Sequence, residues 1–115
     1  MKQIELIYTR EFINDFQETV NFIKKDKPSA AKRFALNVNQ KIKLLKSHPE
    51  LGRSIDDKRL KEIRALIIGN YIVLYEIDKN EAKIYLHGFC NGARDYATIY
   101  KELKRKNSPS TGNSP

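Results

Sequence analysis

Apolar residues along this chain change their period twice, and each change marks a boundary between elements. Ile4, Leu6 and Tyr8 alternate with their neighbours, which predicts a short N-terminal strand with those three side chains on one face. From Thr9 the period lengthens. Phe12, Phe16, Val20 and Ile23 recur at steps of four, four and three, one stripe of an amphipathic helix that Thr9 is placed to cap. Asp26-Lys27-Pro28 breaks this helix, and Pro28 suits the first turn of the next. The second stripe, Ala31, Phe34, Ala35, Val38, Ile42 and Leu45, is the cleanest in the chain and ends at His48-Pro49. So few residues join the two helices that an antiparallel hairpin is expected.

Beyond a polar loop from Glu50 to Arg59, the period shortens again. Three strand-like runs follow: Leu60 to Ile68, Tyr71 to Ile77, and Ala82 to Phe89. Gly69-Asn70 and Asp78-Lys79-Asn80-Glu81 separate them with turn chemistry, so the runs are expected to form an antiparallel meander. Parity sorts the first run into Ile63, Ala65 and Ile67 on one face and Glu62, Arg64, Leu66 and Ile68 on the other. The first set is assigned to the face under the helical hairpin, which leaves Arg64 on the opposite, more open face. After Gly92, the spacing of Tyr96, Ile99, Tyr100 and Leu103 predicts a short C-terminal helix. Its end carries Lys101, Lys104, Arg105 and Lys106, where cations complement the helix dipole. Residues 107–115 are uncharged and rich in Ser, Pro and Gly, and are expected to be disordered. The fold class is α+β: one domain over residues 1–106, with an N-terminal strand and a helical hairpin packed on one face of a small antiparallel sheet.

Composition narrows the setting. A chain of 115 residues with 40% hydrophobic content suits one packed domain. No run approaches the ~20 apolar residues that cross a bilayer, and the N-terminus has no apolar leader, so a cytoplasmic protein without membrane contact is expected. A single cysteine, Cys90, excludes an internal disulfide and a cysteine-based zinc cluster. The net charge of +8 draws the protein toward nucleic acid, ribosomes or an acidic protein partner. A solvated basic surface is the plain alternative.

Candidate chemistry gathers in the second half. Arg64 stands inside a strand among apolar neighbours, where a guanidinium is costly unless it meets an anion. Two-point grip of a phosphate is one reading; a pair with Glu62 or Glu76 is the other. Lys58, Arg59 and Lys61 lie close by, offset by Asp56, Asp57 and Glu62, and read either as backbone phosphate contacts or as a salt-bridged loop. Arg94 follows the third run. Tyr100 shares a helical face with Tyr96, Ile99 and Leu103, for which core packing is the commoner fate. His87 sits at a strand end, grouped by parity with Tyr85 and Phe89, and histidine is a residue type suited to general acid or base work. His48 reads as a helix-terminating residue. Metal-ligand spacing is lacking, so neither a metal nor any other cofactor is expected. Gly-rich phosphate loops and the Gly-x-Ser-x-Gly elbow are lacking too.

Together the residues form a pattern. The helical hairpin is followed by His48-Pro49-Glu50-Leu51-Gly52-Arg53. Next come Ile63-Arg64-Ala65-Leu66-Ile67-Ile68-Gly69-Asn70-Tyr71-Ile72-Val73-Leu74-Tyr75, then His87-Gly88 and Gly92-Ala93-Arg94-Asp95-Tyr96. Over roughly residues 2–106 the chain resembles the RelE/ParE superfamily of toxins from type II toxin–antitoxin systems, also known as plasmid stabilisation proteins. RelE-like members are ribosome-dependent endoribonucleases, or mRNA interferases, and ParE-like members inhibit DNA gyrase by protein binding. The resemblance matches Arg64, Arg94 and Tyr100 to the RelE-like arginines and tyrosine. On this basis the preferred expectation from sequence is metal-independent mRNA cleavage by 2′-OH attack and growth arrest. Arg64 and Arg94 would stabilise the phosphorane charge, and Tyr100 or His87 would move a proton. Lys58, Arg59, Lys61 and Arg53 would bind the RNA backbone. Ribosome, mRNA and a cognate antitoxin are the implied partners. The alternative is a gyrase inhibitor without catalytic residues, and a third reading is a basic RNA-binding module without toxicity.

Overall fold

The computed structural model describes residues 3–55 and 62–92. The elements follow in the order β1 (Glu5–Tyr8), α1 (Arg10–Asp26), α2 (Pro28–Lys43) with a closing 3-10 turn (Leu44–Lys46), β2 (Arg53–Ser54), β3 (Glu62–Ile68), β4 (Tyr71–Asp78) and β5 (Lys83–Asn91). The five strands form one sheet in the order β1-β5-β4-β3-β2. The expected meander is there: β3 pairs antiparallel with β4, and β4 with β5. Gly69 takes a positive φ of 62° at the first central position of the β3–β4 turn, a conformation free of steric cost only for glycine. Two pairings add to the sequence reading. The N-terminal strand β1 lies parallel to β5, with Glu5 opposite Lys83 and Tyr8 opposite Leu86. Within the stretch read as a polar loop, β2 pairs with β3, Arg53 opposite Ala65 and Ser54 opposite Arg64.

Thr9 joins the sheet to the helical layer. Its Oγ1 accepts from the Phe12 backbone N–H at 3.2 Å, the cap that the sequence predicts, and donates to the Leu86 carbonyl of β5 at 2.7 Å. The same hydroxyl therefore starts α1 and fixes it against the sheet. Pro28 opens α2 as expected. The two stripes meet the sheet through Phe12, Val38, Ile42 and Leu45, packed on Leu66, Ile68, Val73, Tyr75, Ile84, Leu86 and Phe89.

This core corrects the face assignment for β3. Leu66 and Ile68 lie under the helices, and Arg64, of the same parity, lies on that side too. Ala65 belongs to a second, smaller core on the other face with Ile72 and Leu74, against which Ile55 packs. Alternation did not discriminate because both faces of β3 are apolar. The pairing with β4 decides instead: it sets Leu66 opposite Val73 and Ile68 opposite Tyr71 on the helical side, and Ala65 opposite Leu74 on the other.

A bulge makes the second correction. Tyr75 pairs with Leu86 while Leu74 pairs with Gly88, so His87 is an extra residue in β5. Parity flips across it. Ile84 and Leu86 point to the helices before the bulge and Phe89 after it, which parts Phe89 from His87 and Tyr85. Phe89 thereby enters an aromatic cluster, edge-on to Phe16 at 5.3 Å and to Phe12 at 5.9 Å, and stacked on Tyr71 at 5.3 Å. Each such pair contributes about 0.5–1.5 kcal/mol beyond the area it buries.

Thr9→Ala should lower stability by about 1–2 kcal/mol, since it removes the cap and the strand contact together, and Thr9→Ser should restore most of the loss. Urea denaturation of both variants measures this; equal stability of the alanine variant and the parent would refute the double role.

Candidate functional site

Arg64 is the described residue with the strongest claim to chemistry, and its surroundings are built from three segments. Its β3 backbone stands opposite Tyr75 on one side and Ser54 on the other. Nε donates to Glu62 Oε2 at 2.6 Å, two residues along the same face of the strand. Nη1 donates to the Gly52 carbonyl at 2.6 Å and to the Glu50 carbonyl at 3.3 Å. The side chain is only 17% exposed. Of the two partners that the sequence offered, Glu62 is the one Arg64 takes. Lys79 Nζ lies 3.4 Å from the other Glu62 oxygen, so one carboxylate serves two cations. The hydrogen bond and charge of Arg64 hold the Glu62 carboxyl below the usual glutamate range.

Tyr75 completes the arrangement from the strand next door. It is fully buried, and its hydroxyl donates to the Pro49 carbonyl at 2.6 Å and accepts from the Gly52 N–H at 2.8 Å. Burial pushes the phenol above its ordinary range, so it remains a donor at neutral pH. Gly52 packs flat on this ring. A Cβ there would stand 2.8 Å from Tyr75 Cε1 and 2.9 Å from the Ala65 carbonyl carbon and oxygen, so no other residue fits without movement. The Pro-x-x-Gly motif thus has a physical reading: Pro49 presents a carbonyl, and Gly52 allows the loop backbone to touch the sheet. Arg64 and Tyr75 together clamp residues 49–52 to β3 and β4.

His87 belongs elsewhere. Its Nε2 lies 2.8 Å from Glu76 Oε1, and its ring stacks on Tyr85 with centroids 6.1 Å apart. A carboxylate only accepts, so Nε2 carries the hydrogen. Glu76 falls between Tyr75 and Ile77, which point to the helices, and Tyr85 between Ile84 and Leu86, which do the same. The group therefore occupies the sheet face opposite Arg64. The structure does not bring His87 and Arg64 together. Arg53 is exposed on β2, beside Lys41, Leu44 and Leu51. Arg94, Tyr100, Lys58, Arg59, Lys61 and the predicted C-terminal helix lie outside the described residues.

The arrangement at Arg64 can anchor a loop. To hold a phosphate in two-point fashion, the guanidinium would first have to release Glu62 or the loop carbonyls. Sequence reasoning missed Tyr75 and the roles of Pro49 and Gly52, although a tyrosine in an apolar strand opposite an arginine was a usable signal. A largely apolar cleft of about 760 Å³ also went unforeseen; it runs beside the clamped loop, between Ile4, Pro49, Leu51, Ile77 and Ile84. Among the described residues there is no grouping of His, Cys, Asp and Glu that would hold a metal ion, and no helix long and apolar enough to cross a membrane.

Comparison with known proteins adds to this geometry. The family model described as "ParE toxin of type II toxin-antitoxin system, parDE" matches residues 6–96. No curated protein sequence matches the chain. Among solved structures, the chromosomal ParDE toxin–antitoxin system from P. aeruginosa superposes with a TM-score of 0.65 at 14% identity, covering 78% of this chain and 97% of that one. The RelBE2 toxin–antitoxin complex from Mycobacterium tuberculosis gives a TM-score of 0.52 at 16% identity, covering 78% and 99%. At these identities the two structures speak for the fold.

Tyr75→Phe should cost about 1–3 kcal/mol, because the buried Gly52 N–H and the Pro49 carbonyl both lose their partner. Chemical denaturation gives the value, and faster proteolysis within residues 49–52 should accompany it. Glu62 sets a pH dependence. Its folded pKa is depressed, so its contribution is complete above the usual glutamate range and fades as pH falls below roughly 4. The stability difference between the parent and Glu62→Gln should therefore be largest near neutral pH and shrink in acid; a constant difference would deny the ion pair its role.

Proposed function

Since the chain belongs to the ParE toxin family of type II toxin–antitoxin systems, we propose that it arrests growth by binding DNA gyrase rather than by cleaving mRNA. One observation carries this choice: the Arg64 guanidinium is already committed to Glu62 and to the Gly52 and Glu50 carbonyls. A phosphorane-stabilising arginine needs donors aimed at the reacting phosphate. Here Nη1 holds the protein's own loop and Nε holds Glu62. The separation of His87 from Arg64 by the thickness of the sheet supports the same choice. The sequence ranked the nuclease first because it matched residue types; the pairing of Arg64 with the protein's own groups supports the opposite order.

On this reading, toxicity depends on surface complementarity, and the clamp matters because it fixes the surface. A cognate antitoxin is the natural partner, as both structural relatives are toxin–antitoxin systems. It would bind the free toxin and compete with the target.

Two assays with purified full-length protein decide between the readings. The protein should inhibit negative supercoiling by gyrase, and primer extension on translating ribosomes should show no new mRNA ends. Cleaved mRNA with undiminished supercoiling would sink the proposal. His87→Gln tests one form of the nuclease reading: a nuclease using His87 as its acid or base should lose about 10²–10⁴-fold in rate, whereas a binder keeps its growth arrest.

A further inference from the structure

The charge of this protein is not spread evenly, and the site around Arg64 does not account for it. Between Lys27 and His48 the sequence holds six basic residues (Lys27, Lys32, Arg33, Lys41, Lys43 and Lys46) and no acidic one. Residues 3–26 hold five acidic residues, Glu5, Glu11, Asp15, Glu18 and Asp26, against three basic ones, Arg10, Lys24 and Lys25. All six cations of the first group are exposed, and among the described residues none enters an ion pair. They belong to α2 and its flanks, whose opposite side is buried through Ala31, Val38 and Ile42. At 100° per residue, Lys32, Arg33, Gln40 and Lys43 fall within one solvent-facing arc. Lys32 and Lys43 stand about three turns apart, roughly 16 Å along the axis.

Resting on the gyrase reading above, we infer that the solvent face of α2 binds the phosphate backbone of duplex DNA, so that the toxin holds gyrase and its DNA substrate together. Cations without internal partners are what a polyanion requires, since each phosphate contact releases condensed counterions. The residues between them, Asn37, Asn39 and Gln40, are exposed amides of the kind that donate to phosphate oxygens. An exposed helix also suits a duplex, whose major groove is wide enough to admit it. A protein partner laid along the same face would find little to anchor on, because Leu36 is the one large apolar side chain on the central arc.

The test uses a fluorescent duplex of about 20 base pairs, longer than the roughly 24 Å helix, titrated with full-length protein across a range of salt. The variant Lys32→Gln/Arg33→Gln/Lys43→Gln removes three charges from the face. Arg10→Gln/Lys24→Gln/Lys25→Gln removes three from α1 and is the charge-matched control. The α2 variant should bind on the order of tenfold more weakly, and its plot of log K against log salt should flatten by about 2.7, which is three contacts at 0.9 each. It should also inhibit supercoiling less than the control does. An unchanged slope, an equal loss in the control, or tighter binding to single-stranded RNA or poly-glutamate than to duplex DNA overturns the inference. Undiminished gyrase inhibition by the α2 variant overturns the bridging role. If the parent fails to inhibit gyrase while the α2 variant still loses DNA affinity, the gyrase reading falls and the DNA-binding face stands.

Discussion

One buried hydroxyl governs how this chain closes on itself. Tyr75 reaches through the core from β4 and satisfies both a carbonyl and an N–H of the loop that follows the helical hairpin. A loop without secondary structure has few other ways to keep its backbone polar groups paired when it packs on a sheet. The Gly52 and Glu50 carbonyls fall to Arg64, whose own charge is balanced by Glu62. Each part presupposes the others. Gly52 permits the approach, Tyr75 fixes its depth, Arg64 closes the side, and Glu62 holds the guanidinium in position. The helical layer and the sheet are thus joined twice, by Thr9 at the start of the hairpin and by this clamp at its end.

The bulge at His87 has consequences at the other end of the sheet. Without the extra residue, Phe89 would turn away from the helices and the aromatic cluster would lose the ring shared by Phe12, Phe16, Phe34 and Tyr71. With it, His87 and Tyr85 stay on the opposite face, where Glu76 meets the imidazole. A single insertion therefore serves packing on one side and polar pairing on the other. It also leaves His87 and Arg64 on opposite faces of the sheet.

Much of the fold could be read from the chain because its period signals are strong. The stripes from Phe12 and from Ala31, the cap at Thr9, the break at Pro28 and the Gly69-Asn70 turn are local devices, and local devices survive in sequence. The face of β3 was not legible. Ile63-Arg64-Ala65-Leu66-Ile67-Ile68 is apolar at both parities, so alternation carried no information and only the partner strand could decide. The bulge was invisible for a similar reason: an inserted residue shifts the parity of everything after it without leaving a mark of its own. Arg64 was correctly singled out as unusual, since an arginine in an apolar strand needs an anion or acceptors. Whether those acceptors belong to a ligand or to the chain is a question of distance. The answer lay in Glu62 and in a loop whose return to the strand no periodicity announces.

The pairing of Arg64 also bears on where the charge of the molecule acts. A guanidinium held by a carboxylate and two carbonyls contributes little field to solvent, because its nearest counter-charge is only 2.6 Å away. Among the described residues the cations of α2 have no such counter-charges, and their helix carries no carboxylate to screen them. Two groups of basic residues that look alike in composition thus differ in kind: one is internal and structural, the other external and available. On the proposal that α2 binds DNA, capture of that partner depends on the second group, since long-range steering scales with unpaired charge. The first group supplies rigidity, and a rigid frame reduces the ordering cost of whatever the second group binds.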